Sequence, residues 1–466
     1  MPLVAGVDSS TQSCKVVIHD LETGALLRHG RAPHPNSTQV HPDIWWSALS
    51  KAIAAAGGID DVHGIAIAAQ QHGMICLDEA GDVVRPAILW NDPRPARAAA
   101  DLVAEWGAGE TGRREWIRAV GFVPRPFHTV ARLRWLAEHE TTNAARTAAV
   151  CLPHDWLTSR LLGSRKLEAL VTDRSDASGT GYWSVLTGEY RMDLLSQALG
   201  HDAVTPGVLK PSEPAGRTHS GAVVGPGAGD NAAAALGVGA GPGDVVISIG
   251  TSGVVSAVAD SPIADSTSEV INSADATGRF LRLASTPIAA RVLDATAHLL
   301  GVGHGEFSRL ALSAPPGSDG LVVLPYFEKA SNLARLRASG LIQGLTEVTS
   351  TPAHVARAAV EGLLCSLAES LAALMLHGAR PERLLLVGGA ARSEAVRKIA
   401  PTVFGQPVVI LGSEELGASG AARQAAWTLT STPEPPAWPT AAQVLHGEAD
   451  PSIRARFDDA RSRLPR

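Results

Sequence analysis

The chain opens on short apolar runs separated by polar turns. "LVAGV" (3–7) is followed by "DSSTQS" (8–13), "CKVVIHD" (14–20), the turn "LETG" (21–24) and "ALLRHGR" (25–31). Such runs, bounded by turn residues, predict strands joined as antiparallel hairpins. "HPDIWWSALSKAIAAAGG" (41–58) has helical spacing and stops at glycine, and "VHGIAIAAQ" (62–70) returns to a strand. About halfway along, "DVVISIGTSGVVSAVAD" (244–260) repeats the opening order of apolar run, Gly/Ser/Thr turn and apolar run. That repetition predicts an internal duplication, with two similar α/β domains that each open on a hairpin. Two hairpins can also arise independently in a long chain.

The last third alternates helix and strand. Residues 350–378 put Val360, Leu363, Leu364, Leu367, Leu371 and Leu374 on one helical face, with Pro352 in the first turn and Gly378 at the end. The strand "RLLLV" (383–387), the turn "GGAARSEA", a helix, the strand "PVVIL" (407–411) and the small-residue helix "ELGASGAARQAAW" (415–427) complete a βαβ pattern. Its Gly-Gly turn falls at the carboxyl end of a strand, where open α/β sheets bind ligands. "TSTPEPPAWP" (430–439) predicts a linker before a charged tail helix.

Size and charge narrow the function. The 466 residues predict two or three domains, and 45% hydrophobic residues are ample for large cores. Forty basic against 46 acidic residues leave a net charge of −6 with no basic run, which argues against nucleic-acid binding. Cys14, Cys76, Cys151 and Cys365 are far apart and form no C-x-x-C, as in a reducing compartment without structural zinc or disulfides. The start has no signal-peptide pattern, and the charge-free stretch 245–259 is too short and too broken to span a membrane. The expectation is a soluble cytoplasmic protein.

The unusual chemistry lies in "VVGPGAGDNAAAALGVGAG" (223–241), where glycines crowd Asp230-Asn231 and an alanine run follows. Glycine permits close approach and positive φ, and a helix start presents free N–H groups to anions. The stretch fits either a carboxylate beside a bound ligand or a loop with Asp as helix N-cap. The chain lacks a G-x-x-x-x-G-K-[ST] loop, a complete G-x-G-x-x-G, a G-x-S-x-G elbow and H-E-x-x-H. That weakens P-loop, dinucleotide-dehydrogenase, serine-hydrolase and zinc-protease readings. Two Gly/Ser/Thr turns, two loop carboxylates (Asp8 and Asp230) and a Gly-Gly βα turn remain. Together they could position a polyphosphate, hold a metal and stabilise charge, as phosphoryl transfer requires.

At this point the residues resemble the FGGY carbohydrate kinases, within the actin-like ATPase superfamily. "GVDSSTQSCKVV" resembles the family's first phosphate segment and "ISIGTSG" the second. "GAGDNAAAALGVG" resembles the catalytic Gly-Asp-Asn segment, and "QQHGMICLDEAGDVVRPAILWND" the sugar-site block of xylulose-phosphorylating members. "GLIQGLTEVTSTPAHVARAAVE" resembles the C-terminal signature and "LLLVGGAARS" the adenosine segment. Six segments in order cover nearly the whole chain.

The resemblance implies an α/β fold of two actin-like (ribonuclease H-like) ATPase domains with a cleft between them. The expected division is 1–222 for the N-terminal domain, 223–432 for the C-terminal domain and 433–466 for linker and tail helix. It implies ATP- and Mg²⁺-dependent phosphorylation of D-xylulose at its 5-hydroxyl. The alternatives are a relative acting on ribulose, gluconate, glycerol or a polyol, or a non-catalytic actin-like nucleotide-binding protein. Asp230 is implied as general base, with glycines making room for sugar and phosphate beside it. Asp8 is implied as Mg²⁺ holder together with Asp230, both through water. Ser10, Thr11, Gly250, Thr251 and Ser252 are implied at the phosphates, and Gly388, Gly389 and Ser393 at the adenosine. Gln71, His72, Asn91, Asp92 and Asn231 are implied at the sugar, with Asp92 alternatively capping a turn. Trp90 either packs on the sugar or sits in the core. The expected partners are a sugar and a nucleotide, without nucleic acid or membrane, and a homodimer is compatible with the sequence. The chain departs from the family pattern at Ser10, at Pro226-Gly227-Ala228-Gly229, at "PHDWL" with His154 in place of a usual lysine, and at Phe327-Glu328-Lys329-Ala330. These departures bear on the identity of the sugar rather than on the reaction type.

Overall fold

The computed structural model describes residues 1–263, 270–286, 288–325, 340–412, 415–439 and 441–464; the departure at 327–330 lies outside them. The chain forms two compact units interleaved along the sequence. One comprises Met1–Ala240, Ala259–Leu281 and Glu415–Pro439, the other Gly241–Val258, Arg282–Glu414 and Thr440–Arg466.

In the first unit, β1 (Leu3–Ser9) runs antiparallel to β2 (Ser13–Asp20), which pairs antiparallel with β3 (Leu26–Pro33). After α1 (Pro42–Ala55), β4 (Val62–Ala69) returns parallel to β1. The opening apolar runs are therefore the hairpins expected of them. Val4, Ala5, Val7, Val16, Ile18, Ile65 and Ile67 are buried, and α1 inserts Trp45 and Leu49 beneath them. A second apolar cluster, built around Trp116, Leu133, Leu136, Tyr182 and Leu194, holds the helical segment that follows. Then come α2 (Pro153–Leu161), whose Trp156 and Leu157 join the core under the sheet, and the single turn α3 (Arg174–Ala177). Two short strands, Val223–Val224 and Ala228–Gly229, then pair parallel with β4, and α4 (Asp230–Gly237) leaves at once from the second.

The second unit repeats the path. β5 (Asp244–Ile249) runs antiparallel to β6 (Gly253–Ala259) and, after α5 (Pro352–Leu376), parallel to β7 (Arg383–Val387). The crossover α6 (Glu394–Phe404) leads to β8 (Val408–Leu411), parallel to β7. Pro352 opens α5, as expected, and Thr351 caps it. Its middle, however, is buried on every side from Ala356 to Ala368 rather than on one face. The Arg357–Glu361 pair inside it is closed at 2.6 Å. By length and composition α5 could cross a membrane, but its most apolar window is 67% buried; it is the core helix of this unit.

The chain next returns to the first unit with α7 (Leu416–Thr430), packed on β1, β4 and α4. It ends in β9 (Ala442–Leu445), antiparallel to β8, and the tail helix α8 (Pro451–Ser462). The fit of α7 depends on small residues. A Cβ on Gly6 would lie 1.9 Å from the Ala418 carbonyl oxygen, and one on Gly420 1.8 Å from that of Ala233. The Arg423 guanidinium also donates to the Leu236 carbonyl at 2.8 Å. All four cysteines are free and buried.

Candidate functional site

Strand register brings the two loop carboxylates together. Asp8 of β1 is the partner of Ala68 on one edge of β4, and Ala228 is its partner on the other. Asp8 and the residue two before Asp230 thus flank the carboxyl end of β4, about 10 Å apart by strand spacing. In open α/β sheets that end is where ligands bind.

The Asp8 carboxylate accepts from Ser10 Oγ at 2.6 Å and faces Lys15 Nζ at 3.1 Å; Lys15 also reaches Glu415 at 3.1 Å. A Cβ on Gly417, in the first turn of α7, would lie 3.1 Å from the Asp8 carboxyl carbon, so the helix start approaches a negative charge, its favourable electrostatic partner. Asp230 accepts from the Asn231 backbone at 2.8 Å and from Asn231 Nδ2 at 2.9 Å. Burial, then the charges of Asp8 and Asp176, push its carboxyl up to about 7. A carboxylate so placed is a base matched to neutral pH. The repulsion between Asp8 and Asp230 is also what a hard divalent cation relieves, and oxygen donors of this kind suit Mg²⁺. The two acids therefore fit the metal the resemblance implied.

The sugar-block residues gather around the same strand end. Gln71 donates to the Ser175 carbonyl at 3.1 Å and accepts from Asn231 Nδ2 at 3.4 Å. His72 takes a positive φ of 68°. Its Nδ1 lies 2.9 Å from the Gly179 carbonyl, so that nitrogen donates and Nε2 is left as an acceptor. Burial, then the nearby Arg132 charge, pushes the imidazole down to about 4 and keeps it neutral. Arg132, fully buried, donates to the carbonyls of His72, Leu89 and Phe127. It ties the strained His72 backbone to the segment before Trp90. Trp90 is 41% exposed and donates to Thr11 Oγ1 at 2.9 Å, so of its two readings the core one does not hold. Asn91 is exposed. Asp92 is buried and engaged by Arg94 at 2.6 Å, and it accepts from the Arg94 backbone at 3.0 Å, the turn-capping alternative. Replacing His72 by alanine is expected to raise the KM for sugar at least about tenfold, the worth of one hydrogen-bonding group, with the KM for ATP unchanged. Initial-rate kinetics with each substrate varied checks this, and equal changes in both would mark the residue as structural.

The glycines before Asp230 have a different purpose from the one expected. A Cβ on Gly227 would lie 2.4 Å from the His154 ring, and one on Gly229 2.6 Å from the Gln71 amide. They make room for protein groups that hold the loop, not directly for ligand. Behind the loop, His154, Asp155, Asp173 and Asp176 are all buried, with His154 Nδ1 2.5 Å from Asp176 Oδ2. Apart from the departure at His154, sequence reading missed this group, together with Ser175, Arg132, Lys15 and Glu415. The acids at Asp173 and Asp176, about 20 residues after "PHD", were its only local signal.

In the second unit, the turn after β5 is closed by Gly250 N–H donating to the Ser252 carbonyl at 3.0 Å. The Ala289 and Ala290 N–H groups cap the Thr251 and Gly250 carbonyls at 3.1 and 2.9 Å. Gly388 has φ 94°, and a Cβ there would lie 2.7 Å from the Ile249 carbonyl oxygen. Only glycine lets β5 and β7 end this close together. Among the described residues, nothing lies within 4 Å of a Cβ built on Gly389. Ser393 caps α6 and its hydroxyl lies 3.0 Å from that of Ser308.

Comparison with known proteins identifies the family. Residues 3–247 match the FGGY family of carbohydrate kinases, N-terminal domain, and residues 245–429 the C-terminal domain of that family. The chain is similar to the xylulose kinase of Streptomyces coelicolor, 40% identical over 445 residues, covering 92% of this chain and 88% of the relative. It is likewise similar to that of Streptomyces rubiginosus, 40% identical and covering 95% and 92%. Its structure is similar to the crystal structure of xylulose kinase from Bifidobacterium adolescentis, with TM-score 0.90 and 42% identity over 99% of both chains.

Proposed function

Since the chain belongs to the FGGY family of carbohydrate kinases, with its two-domain actin-like ATPase fold, we propose that it transfers the γ-phosphoryl group of ATP to the 5-hydroxyl of D-xylulose in the cytoplasm. The observation that carries this assignment is the strand register that sets Asp8 and the turn into Asp230 on either side of the carboxyl end of β4; burial pushes the Asp230 carboxyl up to about 7 there. An alcohol is a weak nucleophile, and Asp230 accepts its proton as the bond to phosphorus forms. Neutral His72, through Nε2, accepts from a sugar hydroxyl, while Gln71, Asn231 and the exposed face of Trp90 orient the rest. Ser10 and Thr11 serve the phosphates in the first unit, and Gly250, Thr251 and Ser252 in the second, with the nucleoside at Gly388, Gly389 and Ser393. Asp8 and Asp230 would hold Mg²⁺, which would supply charge neutralisation of the phosphates.

The rate should depend on pH with a definite sign. Asp230 acts only when ionised, so kcat/KM for the sugar falls as pH drops through about 7 and reaches a plateau above it. A profile flat across that range would remove Asp230 from the base role. A panel of D-xylulose, ribulose, gluconate, glycerol and polyols with coupled ADP detection tests the acceptor. D-xylulose is expected to lead by a large factor. Preference for another acceptor would change the substrate, and ATP turnover indifferent to every sugar would indicate a non-catalytic nucleotide-binding protein.

A further inference from the structure

We propose that His154 is a positioning residue that holds the Asp230 loop in its productive place. The proposal rests on the kinase assignment above. His154 follows Pro153 in the first turn of α2, and its ring is fully buried. Nδ1 lies 2.5 Å from Asp176 Oδ2 and Nε2 3.2 Å from Asp155 Oδ1. The neighbouring acids already have work of their own. Asp155 accepts from the Leu152 N–H at 2.7 Å, and Asp173 caps α3 through the N–H groups of Ser175 and Asp176 at 2.8 and 3.0 Å. Asp176 has a free Oδ1, so without His154 its charge would be buried with no partner. Such an orphaned charge is strongly unfavourable.

From this pair two links run to the four residues before Asp230. The first is direct: the His154 ring abuts Gly227, where a Cβ would come within 2.4 Å of it, while Gln424 holds the Gly227 carbonyl at 2.9 Å. The second passes through α3: Ser175, next to Asp176, accepts from the Gly229 N–H at 2.9 Å and takes the Gln71 amide at 3.1 Å on its own carbonyl. The catalytic carboxylate is thus approached by a clamp that closes on Gly227 and Gly229 and is locked by one buried ion pair. Burial alone would lower the imidazole. Asp155, then the hydrogen bond to Asp176, outweighs it and pushes His154 up to about 10, so the lock stays charged at neutral pH. The same ring and the carboxylates of Asp155 and Asp176 have a metal-ligating composition, but Nδ1 and Oδ2 sit at hydrogen-bond distance, too close to admit an ion between them.

The test compares wild type, His154→Gln, His154→Lys, Asp176→Asn and Asp230→Ala for kcat, the KM of each substrate and melting temperature. Displacing a catalytic group by about 1 Å costs about a hundredfold in rate. His154→Gln should therefore lose about that much in kcat while the KM for ATP stays at the wild-type value. His154→Lys, which keeps a cation opposite Asp176, should recover most of the loss. A purely structural histidine would lower melting temperature but leave kcat per folded molecule unchanged, and that result, or a folded His154→Lys as slow as His154→Gln, overturns the proposal. If His154→Gln is insoluble, Asp176→Asn opens the same pair from the other side and carries the same expectation and the same refutation. An active wild type with a dead Asp230→Ala and a normal His154→Gln would refute only the positioning role; a wild type unable to phosphorylate any sugar would overturn the kinase assignment with it.

Discussion

Replacing Asp230 by alanine is expected to lower sugar phosphorylation by about 10²–10⁴-fold, the usual contribution of a positioned base, with nucleotide binding and fold retained. The fold should survive because, among the described residues, the carboxylate bonds only to its neighbour Asn231. The rest of α4 is held by Ala232, Ala233, Ala235 and Leu236. Linkage offers a control. The folded carboxyl sits at about 7 against an ordinary value of 3.8. A raised acid contributes stability that is lost as pH rises between those two values. Removing the charge with Asp230→Asn should therefore raise melting temperature, and more at about pH 8 than at about pH 5. Steady-state rates and thermal melts at both pH values check the pair of effects. A variant with near-normal turnover would refute the base assignment.

The second large effect concerns packing. Gly420→Ala is expected to destabilise the protein by about 3 kcal/mol or more, although alanine is the better helix former. The added Cβ would meet the Ala233 carbonyl oxygen at 1.8 Å, the Ala233 carbonyl carbon at 2.7 Å and the Gly237 nitrogen at 2.9 Å. All three are backbone atoms of α4, so relief requires α4 or α7 to shift. Because α4 begins at Asp230, activity should fall further than stability alone accounts for. Gly305→Ala provides the contrast. It lies in the helix His304–Ser313 with nothing among the described residues within 4 Å of the new Cβ, and should be neutral or slightly stabilising. Chemical denaturation of both variants checks this, and equal stabilities would show that the close approach of α4 and α7 costs nothing.

Local pattern made much of this legible. The two hairpins, α5 with its Thr351 and Pro352 start, and β7 and β8 all follow from apolar runs and turn residues that neighbour one another in sequence. Asp8 and Asp230 stood out because each adjoins a stretch rich in small residues. The partnerships that position them did not. Gln71 meets Ser175 104 residues away, and Gln424 meets Gly227 197 residues away; no period or spacing encodes such pairs. The strand Ala228–Gly229 has two residues, too few for alternation to register, yet it is what aligns Asp230 with β4. The place of α7 was hidden for a related reason. Its alanines fit the local βαβ order as well as they fit the first unit, and only the glycines at 6, 237 and 420 select the latter. His154, Asp155 and Asp176 were unreadable as a group because buried charges are defined by what surrounds them.

The most direct test of the central claim is the product itself. Wild-type protein incubated with D-xylulose, ATP and Mg²⁺ and followed by phosphorus NMR should form one sugar phosphate, esterified at O5, in step with ADP. ADP released equally with and without D-xylulose, or phosphate appearing only as the inorganic ion, would contradict it.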